Sequence, residues 1–423
     1  MISTAVCIFV DYLFISAAMG TNGLTAFSLA VPVYAVVWGI GLMLGVGGGA
    51  QYAELRARRK NMEMNAIFTL TVKMCFAAGL PLLLAGVFLP MQLGALLGAE
   101  GDILPMTADY IRVILLLAPC AIFYNLFEGF ARNDDAPRIA MISALIYNGM
   151  NIVLNYVFII ALAWGMLGAA LATTLAGMLA LLYLLFHWIR RRFHFRLVKT
   201  QIKARQMLVI CEIGASPFMG EFLYGFILIT FNLTLLRLTG NIGVAAFGII
   251  SSAAFIVAYI FTGLGQGLQP LASTYYGTKD RRGLSKVLRY AIVTSFIIAV
   301  VVIALTFVFS DALIAVLNTE QNAALAAVAH DGARIYFSAF AFVGVTTVAS
   351  AFLSVTGFPR IGLVLAILQG GALIIPLVII LSHFFGISGV WAAYPAAELI
   401  LTIVSVWFLL RTRKAHKSLE RGA

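Results

Sequence analysis

One carboxylate stands where the sequence offers it no partner. Asp11 lies between Ile8, Phe9 and Val10 on one side and Tyr12, Leu13 and Phe14 on the other, midway along an apolar run without a basic residue. An ionised side chain at bilayer depth costs a few kcal/mol or more, so it must face water, find a partner or carry function. A carboxyl group in that position can take up and release a proton or a small cation. Asn151 and Asn155 are four residues apart and share a helix face, with Tyr147 and Asn148 one turn earlier. Amides at this depth either pin helices together or offer oxygens to a cation and hydrogen bonds to Asp11. Glu221, after Pro217, and Glu398, after Pro395, also fall inside apolar runs. Each is a candidate to meet a cationic substrate or to hold a structural hydrogen bond. The pairs Asp109/Arg112 and Asp331/Arg334 have i, i+3 spacing and read as local ion pairs. Lys73, Glu128 and Glu212 sit close enough to span ends to snorkel.

Other chemistries lack their residues. There is no Gly-rich loop ending in Lys-Ser or Lys-Thr, no HExxH and no GxSxG, which argues against an enzyme and against transport driven directly by nucleotide hydrolysis. The five histidines are scattered, and Cys7, Cys75, Cys120 and Cys211 stand singly as core thiols, so neither a metal nor another cofactor is expected.

The elements that position these groups follow from composition. The 423 residues are 62% hydrophobic and 11% charged, with a mean hydropathy of +1.01. Soluble domains carry about 25% charged residues. A water-soluble globule is therefore excluded, and the unit of counting becomes the apolar run of about 20 residues. Twelve such runs occur, near residues 2–18, 24–49, 65–90, 107–131, 138–162, 165–189, 207–235, 241–267, 285–309, 328–355, 360–384 and 388–410. They are too long for barrel strands, which leaves helices as the way to satisfy the backbone in lipid.

The net charge of +11 does not form a nucleic-acid patch. It falls in short clusters after spans 2, 4, 6, 8, 10 and 12, which hold 24 of the 28 Lys and Arg residues. This one-sided pattern predicts that both termini are cytoplasmic in a multi-pass cell-membrane protein. No basic region or cleavage site precedes the first span, so it is expected to be retained rather than removed as a signal.

An internal repeat runs at an offset of about 220 residues. Gly45 to Gly47 matches Gly265 to Gly267, Asp109 and Arg112 match Asp331 and Arg334, Pro137 to Ile139 matches Pro359 to Ile361, and Gly165 to Gly168 matches Gly386 to Gly389. The expected fold is an all-α membrane protein of twelve transmembrane helices in two pseudo-symmetric six-helix lobes. Residues 1–189 form the N-terminal lobe, 190–206 a cytoplasmic linker, and 207–423 the C-terminal lobe with a short basic tail. Two parallel repeats suit alternating access between them.

Several stretches together make the chain resemble the multidrug and toxic compound extrusion (MATE) family, in its MepA-like and DinF-like bacterial branch. They are Phe9-Val10-Asp11, the loop Arg132-Asn133-Asp134 with Ala136-Pro137, Asn151 to Asn155, Gly168 to Thr173, and Gly263 to Pro270 before Tyr276-Gly277. The resemblance covers essentially the whole chain. It implies a V-shaped pair of lobes that antiport small, often cationic, aromatic drugs against protons or sodium. It also implies a cation site at Asp11, Asn151, Asn155 and Thr173; Glu221, Glu398, Tyr147 and Asn148, read from their own positions, are the candidates to line the substrate cavity. Many relatives carry Asp where Asn155 stands, and Gly where Asp135 stands. With one carboxylate retained, the expectation leans to protons.

The expected partners are small-molecule substrates and the lipid bilayer, with a monomeric chain. Two rival readings are a carrier or flippase of a specific metabolite or lipid-linked substrate on the same fold, and a passive channel or scaffold. Cationic cavity residues would favour the flippase, and a channel could not accumulate substrate against its gradient.

Overall fold

The computed structural model describes residues 2–57, 59–200, 204–278 and 280–421. Arg58, Lys279 and residues 201–203 of the expected linker lie outside the described residues, as do the side chains of the basic tail from residue 413. Helix is the regular structure throughout the described residues. In chain order the elements are α1 (Ile2–Ala57), α2 (Asn61–Phe88), α3 (Pro90–Leu96), α4 (Ile103–Leu116), α5 (Ala118–Asn133), α6 (Pro137–Asn155), a π-helical turn (Tyr156–Ala161) and α7 (Gly165–Ile189). Then come α8 (Ala204–Thr239), α9 (Asn241–Gly277), α10 (Arg281–Leu317), α11 (Ala323–Phe337), α12 (Phe340–Val355), α13 (Pro359–Ile367), a second π-helical turn (Leu368–Ala372) and α14 (Ile374–Arg421).

Eight helices are long and apolar enough to cross a bilayer, and two bent pairs bring the number to ten. Two of the eight, Val6–Arg56 and Arg360–Thr412, run for 51 and 53 residues. That is far more than the about 20 a bilayer requires. Each is broken at a glycine with left-handed φ, Gly20 (φ 58) in α1 and Gly386 (φ 58) in α14. The break in α1 is a full reversal. Tyr12 lies with its ring centroid 4.8 Å from that of Phe27 and its hydroxyl 3.4 Å from Ser28 Oγ, whereas a straight helix would hold residues that far apart in sequence about 22 Å from each other. Counting both as hairpins gives the twelve spans expected from hydropathy.

The repeat is visible in the backbone itself. Gly20 and Gly240 (φ 58 and 65) turn the chain at equivalent places, as do Gly165 and Gly386 (φ 57 and 58). Gly101 and Gln321 form a third pair, and Asp135 and Gly357 a fourth. The fourth and tenth spans are both bent, by 50° between α4 and α5 and by 42° between α11 and α12. Asp135 therefore keeps a glycine-type backbone (φ 57) despite its side chain; short polar residues tolerate this region better than most.

By contact the chain divides into two compact units, Val10–Ile229 and Met1–Phe9 with Thr230–Ala423. The division falls within α8, so residues 207–229 belong with the first unit rather than with the C-terminal lobe as read from the sequence. Glycines explain why. A methyl group on Gly214 would fall 2.0 Å from the Met43 carbonyl oxygen, and one on Gly47 2.0 Å from that of Ile210, so α8 and α1 meet backbone to backbone. Small residues permit this approach where lipid gives no hydrophobic drive for helix association. Within the same unit a methyl group on Gly129 would fall 2.5 Å from the Gly45 carbonyl oxygen, another backbone-to-backbone approach.

The expected linker also proves to be partly structural. Phe195 is fully buried among Phe68, Phe130 and Tyr52, with its ring 4.6 Å from that of Phe68. Arg196 N–H donates to Asn65 Oδ1 (2.8 Å) and Val198 N–H to Thr69 Oγ1 (2.9 Å). Lys73 does not snorkel freely, since its Nζ donates to the Thr200 carbonyl (3.0 Å). Asp134, buried, accepts from the Tyr52 hydroxyl (2.7 Å) and from His194 N–H (2.6 Å), with the Arg56 guanidinium 3.5 Å away. Apolar Phe193 and Phe195 among the arginines are the feature that anchors this stretch.

The second unit shows its lipid-facing side on α10, where Val293, Phe296, Ile297, Val300 and Val301 are all exposed. An apolar surface of this kind suits hydrocarbon, not water. Asp109 and Arg112 pair as expected (3.3 Å). In the second unit, by contrast, Arg334 lies over the Phe307 ring at 5.7 Å and Asp331 faces His330 at 3.6 Å, because a neighbouring aromatic and an imidazole compete for the two charges. Replacing Gly129 by Val should destabilise the first unit by about 1–3 kcal/mol through overpacking; the check is a lowered midpoint in thermal unfolding of the purified protein, with Gly149→Val, in open space, as the control.

Candidate cation site

The site is built where α1, α6 and α7 meet inside the first unit. Asp11 lies one turn from Ile15, a fully buried residue, and is itself only 9% exposed, so it faces protein and not acyl chains. On α6, the residues at i, i+4 and i+8 of one face are Tyr147, Asn151 and Asn155, all buried, and Asn148 is buried beside them. Asn155 Nδ2 donates to Asp11 Oδ1 at 2.5 Å and to Asn151 Oδ1 at 2.9 Å. Asn151 Nδ2 in turn donates to Thr173 Oγ1 at 3.1 Å, and the Thr173 hydroxyl donates to the Ala169 carbonyl at 3.2 Å. Asp11, Asn155, Asn151 and Thr173 thus form one continuous chain of hydrogen bonds.

Two features give this chain its chemical character. Among the described residues no cation pairs with Asp11. And Asn155 Oδ1 is buried without a hydrogen-bond partner among the described residues, an arrangement that costs free energy unless something fills it. An anionic oxygen and an orphaned carbonyl oxygen on adjoining residues suit a small cation or a proton. The π-helical turn begins at the residue after Asn155. Such bulges interrupt the α-helical register and occur often at functional sites.

Tyr110 of α4 completes the surroundings and escaped the sequence reading. It is buried, comes within hydrogen-bonding reach of Thr173, and packs edge-on against Phe27 at 5.2 Å. The available signal was a polar ring set inside an apolar span. Of the cavity candidates, Tyr147 hydrogen-bonds Tyr34 (3.0 Å between hydroxyl oxygens) and joins an aromatic group with Trp38 (5.7 Å) and Tyr124 (5.4 Å). Glu221 packs against Gly39, within electrostatic reach of Tyr34 and so on the same unit as Asp11. Glu398 stands apart from these. It belongs to the other unit, where it is fully buried on α14.

Comparisons with known proteins agree on one family. The MatE family model matches residues 1–157 and 218–403. The multidrug export protein MepA of Staphylococcus aureus (strain N315) is 30% identical over 408 residues, covering 95% of this chain and 88% of that protein. Among solved structures, a multidrug resistance MATE family transporter of the MOP superfamily in an inward-facing conformation superposes with a TM-score of 0.87 at 21% identity, covering 98% of this chain and 96% of the other. The MATE multidrug transporter DinF-BH gives a TM-score of 0.77 at 26% identity, covering 98% and 93%. Matched in both halves and built from the same twelve-span framework, this chain belongs to the MatE family of multi-pass membrane transporters.

Proposed function

We propose that the chain is a secondary active exporter in the cell membrane, with both termini cytoplasmic, that moves small and often cationic organic molecules outward in exchange for protons. The observation that carries this reading is the buried Asp11 carboxylate, held by the Asn155 amide, whose own oxygen has no partner among the described residues. The names of the relatives, multidrug export proteins and transporters, support the class of substrate.

The chemistry follows from the direction of the hydrogen bonds. As arranged, Asn155 spends both N–H groups, one on Asp11 and one on Asn151, which suits an ionised Asp11. A protonated Asp11 becomes a donor and needs an acceptor, and the orphaned Asn155 Oδ1 can serve once the amide turns over. Turning Asn155 withdraws its donor from Asn151 Oδ1, so Asn151 and then Thr173 must re-pair. Proton uptake at α1 would thereby be passed to α6 and α7, the step by which occupancy could bias one conformation over another. Asn155 in place of a second carboxylate favours a proton over sodium. The aromatic group of Tyr34, Trp38, Tyr124 and Tyr147, with Glu221 near it, offers ring faces and a negative charge to a flat cationic molecule.

In proteoliposomes, efflux of a cationic dye should quicken as the exterior is made more acid and should not respond to a sodium gradient imposed alone. Asp11→Asn should abolish the acid-driven component while the protein still inserts; an Asp11→Asn protein that exports at the full rate removes the mechanism. A double-mutant cycle in thermal unfolding between Asp11→Asn and Asn155→Ala should give a coupling of about 1.5–3 kcal/mol, as a hydrogen bond to a charged group does. Glu221→Gln is expected to slow efflux of cationic dyes several-fold and to leave a neutral substrate unaffected, which paired uptake assays would read directly.

A further inference from the structure

The two halves repeat in sequence, but at one place they have diverged from rings to polar groups. In the first unit Tyr124 stacks on Tyr147 at 5.4 Å, and Tyr147 Cε2 lies 3.1 Å from where a methyl group on Gly177 would sit. The repeat carries Tyr124 onto Thr346, Tyr147 onto Gln369 and Gly177 onto Glu398, at offsets of 222, 222 and 221 residues. In the second unit these three side chains again meet, now as a polar cluster. Gln369 Nε2 lies 3.4 Å from Glu398 Oε2 and 3.4 Å from Thr347 Oγ1. The Thr346 hydroxyl lies beside the carboxylate and 3.2 Å from Thr402 Oγ1.

We propose that Glu398, attended by Gln369 and Thr346, is a second proton-binding site, placed in the unit that does not contain Asp11. It goes beyond the Asp11 reading and does not rest on it. Glu398 is 0% exposed, and its Oε1 is buried with no hydrogen-bond partner among the described residues. An organic cation has no access to a carboxylate so enclosed, and the few polar atoms around it are fewer than the oxygens that usually surround a sodium ion. A proton requires neither room nor a cage. Bound at Oε1 it forms an O–H bond and removes the charge; on release the carboxylate is left to the Gln369 amide and the Thr346 hydroxyl.

Among the described residues no basic group answers this charge. On the described elements packed against α14 the titratable side chain within electrostatic reach of Glu398 is Tyr336 of α11, on which Tyr394 of α14 itself stacks at 4.6 Å. His330 and Arg334 of α11 are engaged elsewhere, with Asp311 (3.3 Å) and the Phe307 ring. Arg360 is exposed at the start of α13, and α12 carries no titratable residue. Gln369 is delivered by the second π-helical turn, where Gly371 adopts φ 139, a conformation closed to other residues.

The test is a pH-titrated infrared difference spectrum of the full chain reconstituted in lipid, read at the carboxylic-acid C=O stretch. Wild type should show at least two buried carboxyl components. Glu398→Gln should remove one and keep the one that Asp11→Asn removes, and exchange of potassium for sodium should leave the Glu398 midpoint in place. A Glu398→Gln spectrum superimposable on wild type overturns the proposal, as does a midpoint that moves with sodium. Should Glu398→Gln fail to fold, Gln369→Leu retains the carboxyl group and should displace the midpoint of its component alone; an undisplaced midpoint counts against the site. Loss of the Asp11 component's role in efflux, with the Glu398 component intact, would sink the coupling reading and leave this one standing.

Discussion

Within hydrocarbon, water is not available to satisfy a polar atom, and an unpaired backbone or side-chain group costs several kcal/mol. Nearly everything in this molecule answers to that constraint. Helices close their own hydrogen bonds, threonines along the spans return their hydroxyls to carbonyls one turn back, as Thr71 and Thr107 do, and the asparagines of α6 are strung into a line that ends on Asp11. Among the few exceptions in the described residues, Asn155 Oδ1 and Glu398 Oε1 are left without partners in the buried interiors of their units, and each adjoins or belongs to a carboxyl group. An idle carboxylate oxygen can take up a proton directly, and an idle amide oxygen can accept a hydrogen bond from a protonated neighbour.

The duplicated plan supplies the frame and the differences supply the chemistry. Corner residues with left-handed φ and bends in the fourth and tenth spans recur in both halves, because they are imposed by how a six-span bundle turns and packs. The interiors are not held to that likeness. Asp11 is joined by amides in one unit, while the other places Glu398 where its counterpart is a glycine. Even the π-helical turns fall at different depths, one directly after Asn155 and the other carrying Gln369. A common architecture thus carries two separate polar cores built from different side chains.

Much of this was legible in residue order. Hydropathy counts spans directly, since the bilayer fixes their length, and the asparagine spacing placed Asn151 and Asn155 on the face that meets Asp11. What spacing does not encode is which spans touch. The approach of α8 to α1 depends on Gly47 and Gly214, which are ordinary glycines until their backbone neighbours are known. Gln369 and Tyr110 were overlooked because each is a single polar residue without a periodic companion. The stretch around Phe195 read as a linker because its arginines outnumber its rings, yet the two phenylalanines decide where it goes. Asp331 and Arg334 looked like a copy of Asp109 and Arg112, and nearby aromatic and histidine side chains drew them apart.

The corners at Gly20 and Gly386 leave almost no chain between consecutive spans. A one-residue turn cannot hold one helix in lipid while its neighbour waits in water, so during biogenesis the first two spans must enter the membrane as a ready-made hairpin, and the last two likewise. Paired entry also lets Tyr12, next to Asp11, meet Phe27 and Ser28 on the returning helix before that stretch ever confronts acyl chains alone. At each corner the surface between the two spans offers a protease or an antibody scarcely any loop to grasp.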